Sequence, residues 1–92
     1  MNKILLITTK GCEGCSIMNS SIERALLATS KEVTFEKIDS KDLLSKDKKF
    51  YNSLKLRDFP TTVFLKDNIV TRKEVGTRPF IVVLRWIDID FK

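Results

Sequence analysis

The stretch Thr9-Lys10-Gly11-Cys12-Glu13-Gly14-Cys15-Ser16 holds both cysteines of the chain, three positions apart, where an apolar run gives way to a helical pattern. If a helix begins at Glu13, Cys12 sits at its N-terminal edge. There, unpaired backbone N–H groups and the positive end of the helix dipole favour a thiolate over a thiol. Cys15 lies one turn further along, within reach of the Cys12 sulfur. Such a dithiol can open and close a disulfide, so the rest of the chain is read for a scaffold and for a surface that presents a substrate to it.

Before this stretch, Lys3 to Thr9 (KILLITT) is an apolar, β-branched run bounded by Lys10-Gly11, as expected of a short strand buried on both faces. After it, Cys15, Met18, Ile22, Ala25, Leu26 and Thr29 recur at spacings of three and four. They predict an amphipathic helix from Glu13 to about Thr29, with Cys15 on the core side and Cys12 ahead of the first turn. Val33 to Asp39 (VTFEKID) reads as a second strand. Val33 and Phe35 fall on one parity and Ile38 on the other, which leaves a bulge and burial on both faces as alternatives. The lysine-rich segment from Ser40 to about Leu56 carries Leu43, Leu44, Phe50, Tyr51 and Leu54 at roughly helical spacing and reads as helix, with a break near Ser45 allowed.

In Arg57-Asp58-Phe59-Pro60-Thr61-Thr62-Val63-Phe64-Leu65-Lys66 a proline stands immediately before a strand. Asp67-Asn68 is a two-residue hairpin signal, and Ile69 to Val75 is the returning strand. Gly76-Thr77-Arg78-Pro79 closes the pair and offers Thr77 as N-cap, with a proline in the first turn, of a last helix from Phe80 to Phe91. Ile87 to Phe91 also alternates like a strand. As a helix, this segment has Ile81, Val82, Trp86 and Ile89 outside its main apolar face, to be covered by a loop or by a partner.

Ninety-two residues, 42% apolar and 32% charged, fit one globular domain over 1–92. Seventeen Lys and Arg against twelve Asp and Glu give a net charge of +5. The basic residues are scattered, and the densest run, Lys46-Asp47-Lys48-Lys49, contains an acid. No nucleic-acid partner is expected; the charge serves solubility and a mild preference for acidic partners. The four apolar residues Ile4 to Ile7 are too few for a signal-peptide core, and no run approaches the ~20 needed to span a bilayer. A cytoplasmic location without membrane attachment is therefore expected. In a reducing compartment a close cysteine pair is catalytic or metal-binding rather than structural. Zinc needs four ligands, and the chain has no histidine and no third cysteine, so a metal would have to be shared between two chains.

The order strand, helix, strand, helix, strand, strand, helix, the Cys-X-X-Cys after the first strand and the Phe59-Pro60-Thr61 step before the third together resemble the thioredoxin superfamily over nearly the whole chain. Leu56 to Asp67, running on to Val75-Gly76, looks like thioredoxin's cis-proline loop, its β-hairpin and the glycine that follows. The length, starting directly at the strand before the cysteines, is similar to the minimal glutaredoxin core. The resemblance implies an α/β, thioredoxin-like fold: a central mixed four-stranded sheet flanked by helices. It also implies a thiol–disulfide oxidoreductase that reduces protein disulfides without a cofactor or a metal.

Carried over by position, Cys12 is the attacking nucleophile, Cys15 the resolving thiol, and Pro60 the cis-proline whose flanking backbone pairs with an extended substrate. Phe59, Thr61, Gly11 and Gly76 complete the expected substrate surface. Lys10 and Glu13 are expected to tune the Cys12 thiol, the lysine lowering its pKa and the glutamate raising it. The implied partners are a disulfide-containing protein and, as electron donor, a reductase or glutathione. The chain reads as a monomer, with the last helix as the surface for a dimer.

The departures are specific. Gly11-Cys12-Glu13-Gly14-Cys15 matches neither the Trp-Cys-Gly-Pro-Cys of thioredoxins nor the Cys-Pro-Tyr-Cys of glutaredoxins. The acid that thioredoxins place six residues before the first cysteine is Leu6, which leaves proton transfer from Cys15 to water or to another group such as Glu13. Val75-Gly76-Thr77-Arg78 replaces the glycine pair and acid that hold glutathione in glutaredoxins. The rival readings are a glutathione-dependent glutaredoxin-like enzyme, a dimeric iron–sulfur or zinc module held through Cys12, and a redox-inactive adaptor.

Overall fold

A computed structural model describes residues 1–92. The elements follow as β1 (Asn2–Thr8), α1 (Glu13–Ala28), β2 (Thr34–Asp39), α2 (Ser40–Lys46), α3 (Lys48–Leu54), β3 (Thr61–Lys66), β4 (Ile69–Val75) and α4 (Phe80–Asp90). The segment read as one helix with a possible break is thus two helices, interrupted at Asp47. That residue's N–H donates to Leu43 O (2.8 Å) and closes α2, while its carboxylate accepts the Phe50 N–H (3.0 Å) and caps α3. An aspartate is well suited to both roles. Asp39 likewise caps α2 by accepting the Lys41 N–H at 2.8 Å.

The strands form one sheet in the order β2-β1-β3-β4. β1 runs parallel to β2 and antiparallel to β3, and β3 pairs antiparallel with β4. Asp67 and Asn68 both take positive φ (52° and 68°), as a two-residue type I′ hairpin turn requires. Because β1 is interior, it is apolar on both faces. Ile4 and Leu6 join Phe64, α1 residues Met18, Ile22 and Ala25, and α4 residues Val83, Trp86 and Ile87. Leu5 and Ile7 join Val63, Leu65, Leu43 of α2 and Leu54 of α3.

This two-sided sheet resolves the parity of β2. Phe35 packs on the first core and Ile38 on the second, while the register with β1 runs unbroken from Lys3↔Thr34 to Thr8↔Asp39. Burial on both faces explains the pattern, and no bulge is needed. The irregularity lies in the hairpin instead: Phe64 faces Arg72 but Leu65 faces Val70, so Thr71 is an extra residue. Its hydroxyl donates to Phe64 O at 3.3 Å.

The last segment is helical, with Pro79 at the N-cap position and no capping side chain. Thr77 therefore does not cap α4. It lies two residues too early, and its methyl group faces α1: a Cβ built on Gly14 would come 3.0 Å from Thr77 Cγ2. Of the extra apolar residues, Trp86 is buried and Val82 half-buried, whereas Ile81 and Ile89 remain exposed. No helix is long and apolar enough to cross a membrane.

Thr62 pairs with Leu6 and so faces the α1/α4 core, where its hydroxyl is buried without a hydrogen-bond partner. A hydroxyl removed from water and left unpaired opposes folding. Thr62→Val is therefore expected to stabilise the fold by about 1 kcal/mol, read from the urea midpoint. A loss of stability would show that the hydroxyl is satisfied.

Candidate active site

β1 ends and β3 begins at the same end of the sheet, as the pairing Ile7↔Thr61 requires, and this brings the cysteine turn beside the proline step. The turn after β1 is closed by the Cys12 N–H donating to Thr9 O at 3.3 Å. Gly11 has φ 77°, and no atom lies within 4 Å of where its Cβ would be, so the backbone angle rather than crowding calls for glycine there. Cys12 occupies the N-cap of α1 in extended conformation, and its side chain makes no capping hydrogen bond. The sulfur is bonded to Cys15 in a disulfide with Cα atoms 5.5 Å apart. Cys15 is 8% exposed on the core side, whereas Cys12 is partly open to solvent.

The facing wall is the step from Phe59 to Pro60, a cis peptide. Pro60 is buried, and its carbonyl accepts the Gly76 N–H at 2.8 Å, tying the step to the end of β4. The Thr61 side chain is only 1% exposed, and its hydroxyl donates to Asp58 O at 2.7 Å. The Thr61 hydroxyl and the Gly76 N–H are thus both engaged in holding the step in place. Phe59 is half-buried against the α2/α3 core, and its own N–H and carbonyl have no backbone partner.

Gly14 is where the two halves touch. A Cβ there would lie 3.2 Å from Pro60 Cδ as well as 3.0 Å from Thr77 Cγ2. The sequence suggests only that this glycine weakens the helix; the structure gives it a role, letting α1 close onto the proline. Gly14→Leu is expected to destabilise the fold by about 1–3 kcal/mol through overpacking, although leucine is the better helix former. Urea unfolding at wild-type stability would show that the contact does not constrain the site.

Lys10 and Glu13 are both exposed and flank the dithiol without an ion pair to any residue. Leu6, at the position of the thioredoxin acid, is fully buried in the α1/α4 core. On the side away from Pro60, an open cleft of about 340 Å³ is lined by Thr8, Thr9, Cys12, Cys15, Ser16, Asn19 and Lys37. Sequence reasoning missed Lys37 and Asn19. Lys37 enters because β2 pairs in parallel with β1, Leu6 opposite Lys37, a register that no local signal encodes.

No family model matches the chain, and no curated protein matches it by sequence. Solved structures do match. Thioredoxin-2, described as a component of malaria parasite protein secretion machinery, superposes with a TM-score of 0.76 at 16% identity over 96% of this chain and 82% of its own. Thioredoxin from Aeropyrum pernix gives 0.74 at 20% identity, over 97% of this chain and 74% of its own. A further malarial protein gives 0.74 at 16% identity, covering 96% of this chain and 94% of its own. Identities this low speak to architecture, and together with the β2-β1-β3-β4 sheet they establish that the chain has the thioredoxin fold, with a close cysteine pair opening its first helix.

Proposed function

We propose that the protein is a thiol–disulfide oxidoreductase that reduces disulfides in extended polypeptide segments. The observation that carries this reading is the junction itself. The Cys12–Cys15 pair opens α1 where Gly14, between the two cysteines, closes onto Pro60, beside a Phe59 backbone whose N–H and carbonyl are free to pair with a substrate strand.

In the reduced protein, the start of α1 favours Cys12 as a thiolate. That thiolate attacks one sulfur of the substrate, forming a mixed disulfide and releasing the other sulfur as a thiolate. Cys15 then loses its proton and attacks Cys12 Sγ, regenerating the bond now present and releasing the second substrate thiol. Neither Leu6 nor Glu13 lines the cleft that reaches Cys15, which supports water as the carrier of that proton. The oxidised protein is returned to the dithiol by a reductase or by glutathione.

The test is a single turnover. Protein reduced beforehand and freed of reductant is mixed with a disulfide-bridged peptide, and both are weighed by mass spectrometry. The peptide is expected to gain the two hydrogens that the protein loses; a peptide that stays oxidised would overturn the reading.

A further inference from the structure

The cleft beside the dithiol faces away from Pro60, so a peptide docked along Phe59 leaves it unfilled. Its lining holds both cysteines, three hydroxyl residues, one amide and one cation, with no carboxylate. Lys37 pairs with no acid in the chain. Two of the polar groups are already committed: the Thr8 hydroxyl donates to Ile38 O (3.4 Å), and the Asn19 amide donates to Glu23 Oε1 (2.8 Å). The hydroxyls of Thr9 and Ser16 make no hydrogen bond within the chain and, with the Lys37 ammonium, are left as donors. An uncommitted cation among donors, with no acid in the lining and the neighbouring Glu23 carboxylate already accepting from Asn19, is suited to a carboxylate. The volume of about 340 Å³ suits a small molecule rather than a second chain.

We propose that this cleft is a second substrate site, one that takes low-molecular-weight disulfides bearing a carboxylate and seats that carboxylate on Lys37 while Cys12 reaches the sulfur. The proposal rests on the thiol–disulfide reading above and extends it from polypeptides to small molecules. The Cys12 thiolate attacks one sulfur of R–S–S–R and releases one RS⁻. Cys15 then displaces the second RS⁻ from Cys12, so the dithiol is oxidised by two electrons as the small disulfide is reduced. A dithiol reductant supplied beforehand provides those electrons.

Three small disulfides separate charge from chemistry: anionic dithiodipropionate, neutral hydroxyethyl disulfide and cationic cystamine. Rate constants for the pre-reduced protein are measured by stopped flow in low salt. Lys10 and Glu13 flank the cysteines in sequence and Glu23 is bonded to Asn19, and their background is removed by comparing each variant with wild type. The anionic-to-cationic rate ratio is expected to fall about fivefold in Lys37→Gln and more than about twentyfold in Lys37→Glu, the range for one and two charge steps at an exposed site. Lys37→Arg should hold the ratio. So should Lys48→Gln, which removes the same charge on α3 at the far end of the sheet.

A ratio that does not move in Lys37→Glu overturns the site. An equal fall for all three disulfides also overturns it, because Lys37 would then act on thiol reactivity alone. A wild-type protein that reduces the bridged peptide but discriminates among none of the small disulfides overturns this proposal and leaves the oxidoreductase reading standing. One that reduces neither peptide nor small disulfides ends both.

Discussion

Cys12→Ser is expected to lower the reduction of a peptide disulfide to its uncatalysed rate, while Cys15→Ser is expected to complete the first step and accumulate protein joined to the substrate. The asymmetry follows from position. Cys12 is at the N-cap and partly open, so a substrate sulfur can approach it; Cys15 is 8% exposed, on the buried side of α1. Serine in place of Cys12 offers a hydroxyl that stays protonated and is a far poorer nucleophile toward sulfur. Serine in place of Cys15 leaves the attack intact but removes the thiol that would release the product. Non-reducing electrophoresis and mass spectrometry read both outcomes directly. Starting every protein from the reduced state, freed of reductant before the substrate is added, keeps stability out of the comparison, because the wild-type bond is then open as well. Substrate trapped on Cys15 in the Cys12→Ser protein would reverse the assignment.

The same asymmetry is legible in the sequence alone. A core-facing Cys15 and a Cys12 ahead of the first turn follow from the spacing of Met18, Ile22 and Ala25, since helical periodicity is a local property. So does the hairpin, because Asp67-Asn68 carries its turn conformation in its own side chains. What the sequence does not carry is anything set by distant register. Lys37 comes beside the cysteines only because β2 lies parallel to β1 with Leu6 opposite it, and the chain around Lys37 has no feature that selects this pairing. Gly14 reads locally as a poor helix former, and its value appears only once Pro60 and Thr77 are brought against it from the far end of the chain. Thr77 shows the converse: Thr77 followed by Pro79 is a sound capping signal in isolation, but that side chain is engaged across the site.

Phe64→Ala is expected to remove about 3–5 kcal/mol of stability, a large part of the roughly 5–14 kcal/mol that a domain of this length has in total. Phe64 is fully buried in β3, opposite Ile4. Its ring lies 5.2 Å from Phe91 in a stacked arrangement and 6.0 Å from Trp86 edge to face, so truncation opens a cavity and breaks two aromatic contacts together. Neighbours cannot readily collapse into the space. Phe91 closes the chain's last turn over it, and Trp86 is held by Arg72, whose guanidinium sits 5.0 Å from the indole while bonded to Asp90 at 2.7 Å. Urea unfolding followed through Trp86, the only tryptophan, should show a lower midpoint with the same slope. Phe64→Leu, which keeps more of the volume, should lose less; Leu27→Ala, at a side chain 89% exposed, should stay within about 0.5 kcal/mol of wild type. β3 begins at Thr61, immediately after Pro60, so the damage reaches the site only as the strand unfolds. The rate per folded molecule should therefore hold while the folded fraction falls. A loss below about 1 kcal/mol would mean that the three rings do not pack as one unit.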